Sequence, residues 1–372
     1  MIDPASLAPE ARLYLRPIWF AESPVGLDGE TARLGGGLLW FQGYEIIARS
    51  GASIERDRVA VSDFSGWCGR LCEPLAQRAA ALAANISMIR PPLALRDRMI
   101  RFEVPQVMGI LNMTPDSFSD GGKFLDDAQA AADAGFGMTT AGAAIVDVGG
   151  ESTRPGADKV WEGDEIKRVV PVIEKLAASG VPVSIDTRKA AVMEAALSAG
   201  AALVNDISGL THDPRGLEVV AQSGCPVILM HSPSAGDDPH DNAVYEDAVT
   251  DIFDWLEARI AACEAAGIAR DKIVVDPGIG FGKPLAVNLA ILNRLSLYQG
   301  LGVPVLLGAS RKRIIGALSN EAPASARLGG SLALVMRGLE SGAQMLRVHD
   351  VPETVQAVHV WRGLRDAALM SG

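Results

Sequence analysis

The chain is poor in the features that mark several protein classes. It has four cysteines in 372 residues, Cys68, Cys72, Cys225 and Cys263. None forms a CxxC pair and no histidine cluster stands beside them, so neither a zinc site nor a disulfide framework is expected. They read as partly buried free thiols. Aromatic residues make up only 5%, which leaves Ala, Val, Ile and Leu to build the core. Basic residues are outnumbered: 34 Lys and Arg against 45 Asp and Glu give a net charge of −11. So acidic a chain is not a bulk nucleic-acid binder, although a local basic pocket for a small anion is compatible with it. Long apolar runs are missing too. The longest uncharged run, Val219 to Gly236, contains Gln222, Ser223, Pro226 and His231 and is too polar to span a membrane. The first residues include Asp3 and Glu10, with no basic stretch leading into an apolar run, so no secretory signal is read there. The expectation is a soluble, cytoplasmic protein without nucleic-acid or membrane partners.

Glycine, by contrast, is abundant, with 39 residues where average usage is about 7%. No Gly-X-Y period accompanies it, which excludes collagen. The glycines punctuate a repeat that begins near residue 106. A short β-branched run ends in polar residues, a helical pattern follows, and a glycine precedes the next run. The runs are Gln106–Thr114, Ile145–Ser152, Val181–Thr187, Leu203–Ser208, Pro226–Ser232, Ile273–Phe281, Pro304–Ser310 and Gln344–Val351. Gly142, Gly180, Gly200, Gly224, Gly267 and Gly342 fit left-handed helix caps that turn into strands. Eight near-continuous apolar strands alternating with helices predict a parallel sheet covered on both faces. The expected fold is α/β, a (β/α)8 TIM barrel over residues 101–372. A doubly wound open sheet is the alternative, but LNMTPDSFSDGG stands where its Gly-x-Gly-x-x-Gly turn would. Residues 1–100 read as a small α+β appendage of unassigned role. Strands are expected at Leu38–Ala48 and Arg58–Asp63, a helix at Glu73–Met88 and a linker at Arg90–Arg98.

In such a barrel the chemistry sits at the C-terminal ends of the strands. Strands seven and eight end in Ser310, Arg311, Lys312, Arg313 and in Arg347, His349, Asp350, a basic rim suited to an anion. Across the mouth Asp186, Asn205 and Asp276 supply acceptors and an amide. A heterocycle with several N–H groups suits that lining, since a carboxylate accepts from two adjacent donors at once. Gly278, Gly280 and Gly282 beside Asp276 let a flat ligand approach the backbone. Each residue alone has an ordinary explanation: a strand-end Asp caps the next helix, and a lone Arg154 or Arg311 pairs at the surface. Convergence on one barrel face carries the functional reading.

The strings MGILNMTPDSFSDGG (Met108–Gly122), IVDVGGESTRPGA (Ile145–Ala157), SIDT (Ser184–Thr187), VNDISG (Val204–Gly209), DPGIGFGK (Asp276–Lys283), SRK (Ser310–Lys312) and RVHDV (Arg347–Val351) resemble the dihydropteroate synthases. The resemblance covers about residues 104–365, one motif per strand end. It implies a transferase of folate biosynthesis. Such an enzyme joins 6-hydroxymethyl-7,8-dihydropterin pyrophosphate to para-aminobenzoate, releases pyrophosphate, and is a target of sulfonamides. By resemblance Asp186, Asn205, Met230, Asp276, Gly308, Lys312 and Arg347 would bind the pterin. Asn112, Thr153, Arg347 and His349 would bind the pyrophosphate. Phe118, Arg154, Pro155, Phe281, Lys312 and Arg313 would form the para-aminobenzoate pocket. Asn112 and Asp120 would hold Mg2+. Asp186, Asp276, Lys312 and Arg347 would be the catalytic set, in a homodimer. Two features depart from the family: SPSAGDDPHDN (Ser232–Asn242) follows strand five, and Arg313 stands where some relatives have Ser. The rival readings are a pterin-binding, corrinoid-dependent methyltransferase, which has no use for the basic rim, and a catalytically dead pterin-binding paralogue.

Overall fold

The structure, a computed structural model, describes residues 2–114, 127–152, 157–233, 238, 240 and 244–370. Four strands open the chain: β1 (Arg12–Ala21), β2 (Ala32–Arg33), β3 (Trp40–Ser50) and β4 (Ser53–Ala60), followed by α1 (Phe64–Cys68) and α2 (Glu73–Ser87). β3 lies between β1 and β4, antiparallel to both, and β2 pairs with its start. The sequence places the second of its two strands five residues too late. Ser50 pairs with Ser53 through the positive-φ turn at Gly51, so β4 begins at once.

This N-terminal sheet shares one hydrophobic core with the barrel: Leu13, Leu15, Phe41 and Ile47 are buried in the same cluster as Phe253, Leu256 and Leu297. Ions line the seam. Arg12 pairs with Asp254 at 2.9 Å, Arg78 with Glu257 at 2.6 Å, and Tyr14 donates to Asp254 at 2.8 Å. Arg90 is buried and donates to the Gln299 backbone and side chain, both at 3.0 Å.

The stretch expected to be a linker is structured. β5 (Leu93–Leu95) and β6 (Arg98–Ile100) form a hairpin. Its apolar side chains Leu93, Leu95 and Ile100, with Phe102, pack with Met108, Ile145, Leu203, Ile228, Val274, Leu306 and Met345. Those seven come from seven different barrel strands. The hairpin therefore plugs the N-terminal end of the barrel. The alternation of leucines with Ala94 carried that signal, too short to read without its partner. Leu93→Ala is expected to cost about 2–5 kcal/mol in urea unfolding. A loss under about 1 kcal/mol would remove the hairpin from the cooperative core.

From residue 106 strands and helices alternate: β7 (Gln106–Asn112), α3 (Ala128–Thr140), β8 (Ile145–Gly149), α4 (Glu162–Ala178), β9 (Val183–Asp186), α5 (Ala190–Ala199), β10 (Leu203–Asp206), α6 (Gly216–Ser223), β11 (Val227–Met230), α7 (Ala248–Ala265), β12 (Ile273–Asp276), α8 (Leu285–Asn293), β13 (Leu306–Leu307), α9 (Arg313–Leu318), α10 (Leu328–Glu340), β14 (Met345–Val348) and α11 (Val351–Met370). The strands pair in parallel in the order β12-β11-β10-β9-β8-β7-β14-β13. A bridge between Val275 and Val305 joins the two ends, so the sheet closes. That closure decides for the barrel over the open sheet. The eight expected runs are all present, and each is longer than its strand because its last residues turn into the mouth. All six glycines expected as caps have positive φ, for example Gly224 at 65°. No described helix is long and apolar enough to cross a membrane.

Candidate active site

The site follows from the two-residue period of the strands. Ile145, Leu203, Ile228, Val274, Leu306 and Met345 point into the barrel and rest on the hairpin plug. Two residues further along each strand, on the same inward side, stand Asp147, Asn205, Met230, Asp276, Gly308 and Arg347. β9 contributes Ser184 and then Asp186, and β7 contributes Asn112. The barrel thus changes within one layer from an apolar floor to a polar mouth. Register levels the parts: Asn112 pairs with Gly149, Gly149 with Asp186, Asp186 with Asn205, and Met230 with Asp276.

Arg347 spans the centre. Its Nε donates to Asp147 Oδ2 and one terminal nitrogen to Asp186 Oδ2, each at 2.6 Å. Asn205 Nδ2 donates to the same Asp147 oxygen at 3.1 Å. Burial works against the guanidinium charge, but Asp147 and Asp186 outweigh it and hold the Arg347 pKa above its ordinary value. Burial pushes the Asp186 carboxyl up to about 7; Arg347 opposes this and Asp147 adds to it. Asp276 is buried and its pKa is raised by that burial, against the Gly278 N–H that donates to its Oδ1 at 2.7 Å. Its other oxygen faces Gly308, where an added Cβ would come within 3.3 Å. Lys312 carries its Nζ 3.9 Å from the centroid of the Phe281 ring, a cation–π contact. Burial pushes Lys312 down to about 8, with Asp276 opposing. Phe281 packs with Ile207 and Met230 as an apolar wall on one side of the mouth.

The structure sorts neighbours that the sequence left equivalent. Asn205 faces the mouth, whereas Asp206 turns outward and closes the following turn, accepting from Ser208 N at 2.6 Å and Leu210 N at 3.1 Å. Arg311 pairs with both oxygens of Asp350 and is not free for an anion. With Arg347 also paired, the basic rim is partly neutralised within the chain. His349 sits against Ser310, its Nδ1 at 3.1 Å from the hydroxyl. Arg313 is exposed at the start of α9. Phe118, Asp120, Thr153, Arg154 and Pro155 lie outside the described residues. Asn112 Oδ1 and Asp186 Oδ2 stand 3.5 and 3.7 Å from the Cβ that an alanine at residue 149 would carry. They are hard oxygen donors of the kind Mg2+ takes. Among the described residues no three His, Cys, Asp or Glu side chains gather into a metal site. Of the expected pair Asn112 and Asp120, the described residues include Asn112, whose side-chain oxygen is a donor of that kind.

Three features had no assigned role in the sequence. Asp147 anchors Arg347 while its Oδ1 has no partner among the described residues; a lone acid inside IVDVG was its only signal. Lys189 joins Glu151 at 3.0 Å, Glu165 at 2.7 Å and the Val160 carbonyl at 2.6 Å. Lys283 is buried within the motif that contains Asp276. Nothing in the local sequence distinguishes Lys189 or Lys283 from a surface lysine.

Fold and site together define a parallel (β/α)8 barrel whose mouth gathers carboxylates, an amide and cations into one hydrogen-bonding site. Residues 108–349 match the family described as "Pterin binding enzyme". The dihydropteroate synthase of Neisseria meningitidis serogroup B is 44% identical over 273 residues, 71% of this chain and 95% of its own length. A probable bifunctional folylpolyglutamate synthase/dihydropteroate synthase of Haloferax volcanii is 49% identical over 262 residues; the match spans 70% of this chain and 30% of that relative. The solved dihydropteroate synthase of Xanthomonas albilineans with 4-aminobenzoic acid superposes with a TM-score of 0.69 at 44% identity, covering 74% of this chain and 98% of that one. The chain belongs to the pterin binding enzyme family, among its dihydropteroate synthases.

Proposed function

We propose that this protein is a transferase that joins 6-hydroxymethyl-7,8-dihydropterin pyrophosphate to para-aminobenzoate, giving 7,8-dihydropteroate and pyrophosphate. The observation that carries the reading is the single inward layer in which Asp186, Asn205, Asp276 and Arg347 ring the mouth, with Lys312 above the Phe281 wall. Asp276 offers a carboxylate to the amino and ring N–H edge of a pterin. Asp186 and Asn205 meet the ring from other sides, Met230 lies against its face, and Gly308 leaves room beside Asp276. Lys312 donates to the ring acceptors. Arg347, already held flat between two carboxylates, stacks on the ring and reaches towards the pyrophosphate, which His349, Asn112 and Thr153 also bind.

The chemistry breaks the bond between the exocyclic methylene carbon and the pyrophosphate oxygen, and the electron pair leaves with pyrophosphate. The methylene becomes a cation conjugated with the pterin. Asp186 and Asp276, preorganised at the strand ends, stabilise that positive charge more than they would in bulk water. The aniline nitrogen attacks with its lone pair, forms the C–N bond, and releases its proton to solvent or pyrophosphate. Phe281, Lys312 and the backbone at Arg313, with Phe118, Arg154 and Pro155, hold para-aminobenzoate; a solved relative contains 4-aminobenzoic acid. Asn112, together with Asp120, would hold Mg2+, which when bound offsets negative charge on phosphate oxygens. A cytoplasmic homodimer belongs to the same reading, with exposed Val360 and Leu364 giving α11 an apolar face.

The full chain, given both substrates, is expected to release pyrophosphate and form dihydropteroate in equal amounts. Pterin binding without pyrophosphate release would sink this reading in favour of an inactive binding protein. Methyl transfer to a corrinoid would favour the other rival.

A further inference from the structure

Lys283 is a buried ammonium that the reaction described above does not use. Its Nζ donates to three backbone carbonyls: Gly278 at 2.8 Å, His231 at 3.1 Å and Phe281 at 3.2 Å. An ammonium has three N–H donors and no acceptor, so these three oxygens match it completely, whereas a neutral amine would leave one carbonyl facing a lone pair. The first carbonyl lies on the turn whose N–H supports Asp276. The second lies one residue beyond β11, next to Met230. The third belongs to the residue whose ring lies under Lys312. From the other side Asn288 ties the same loop, accepting from Gly280 N and donating to Lys283 O, each at 2.7 Å. Gly278 cannot take a side chain, because a Cβ there would come within 2.0 Å of the His231 oxygen and 3.0 Å of the Lys283 ammonium. The loop is wound around a charge.

We infer that Lys283 is a positioning residue whose ammonium holds Asp276 and Phe281 in one rigid loop, so that the pterin edge and the wall of the aminobenzoate pocket are set by the same three hydrogen bonds. The inference rests on the proposed placement of pterin at Asp276 and of para-aminobenzoate at Phe281. The charged and titratable groups around the ammonium are Asp276 from β12, Lys312 at the start of α9, and the ring of His231 beyond β11. Burial keeps that ring well below its usual pKa, so it is neutral. Burial likewise lowers Lys283, to about 7, with Asp276 opposing and Lys312 adding. The cation is therefore lost as pH rises above neutrality.

The test compares Lys283→Met with Asp276→Asn under steady-state conditions well below their thermal midpoints. Lys283→Met is expected to raise the KM of both substrates, each by at least ~10-fold, since small misplacement of a site is costly. Asp276→Asn is expected to raise the pterin KM alone. If Asp276→Asn leaves the pterin KM unchanged, the pterin assignment itself fails. If Asp276→Asn weakens pterin but Lys283→Met leaves both KM values within twofold, the inference about Lys283 fails and the assignment stands. Should Lys283→Met not fold, the wild-type protein decides by hydrogen exchange. Amides of Gly278 and Gly280, corrected for intrinsic rate, are expected to lose protection between pH 6 and 9 while those of β12 do not. Unchanged protection across the pH at which NMR shows the Lys283 ammonium losing its proton would overturn the clamp.

Discussion

Asp276→Ala is expected to abolish pterin binding detectable by calorimetry. The carboxylate is buried at the end of β12, with one oxygen fixed by the Gly278 N–H and the other towards Gly308. A pterin presents an amino group and a ring N–H side by side, and a carboxylate accepts from both. Hydrogen bonds to a charged group contribute about 1.5–3 kcal/mol each. Losing two removes roughly 3–6 kcal/mol, or on the order of 10²–10⁴ in affinity. Alanine also leaves the pterin donors without partners where Asp276 is buried, and that penalty adds to the loss. The control is the thermal midpoint of the ligand-free variant, which separates lost recognition from lost fold. Near-wild-type affinity would overturn the placement of the pterin.

Turnover should collapse in Lys312→Ala. Its ammonium lies over the Phe281 ring, with Asp276, Arg347 and Asp186 as its charged neighbours. Removing a preorganised donor costs on the order of 10²–10³ in kcat. Its pH dependence gives a second signature. Because burial pushes Lys312 down to about 8, the cationic donor is present below that pH and is lost above it. The kcat/KM for the pterin substrate, which reports the free enzyme, is expected to fall through a limb centred near 8. In Lys312→Ala the limb near 8 should be absent, leaving only the earlier fall near 7 that loss of the Lys283 cation brings. A wild-type profile flat from pH 7 to 9, or a variant within threefold of wild type, would remove Lys312 from the reaction.

Much of this site is legible in one dimension because each strand turns polar as it leaves the barrel. Asp186, Asn205, Asp276 and Arg347 were all found by reading the ends of apolar runs, and the two-residue period then places them in one layer. Residues that act through a partner were left without a role by that reading. Asp147 matters because Arg347 and Asn205 reach it from strands far away in the chain. Lys283 matters because three carbonyls converge on it. The basic rim was overcounted for the same reason: a string shows Arg311 as a cation, whereas the fold pairs it with Asp350.

Local chemistry alone settled the alternation of strands and helices, the glycine caps and the strand-end positions of Asp186, Asn205, Asp276 and Arg347, since these depend on periods and turns a few residues long. Three matters waited for the tertiary structure. The Leu93–Ile100 hairpin proved to be the floor of the barrel, a role set by seven strands meeting beneath the mouth. The N-terminal sheet proved to share the barrel's core through contacts some 240 residues apart in sequence, as between Tyr14 and Asp254. The charge state of the mouth was decided by burial and by which ions face each other, and neither has any trace in a chain read one residue at a time.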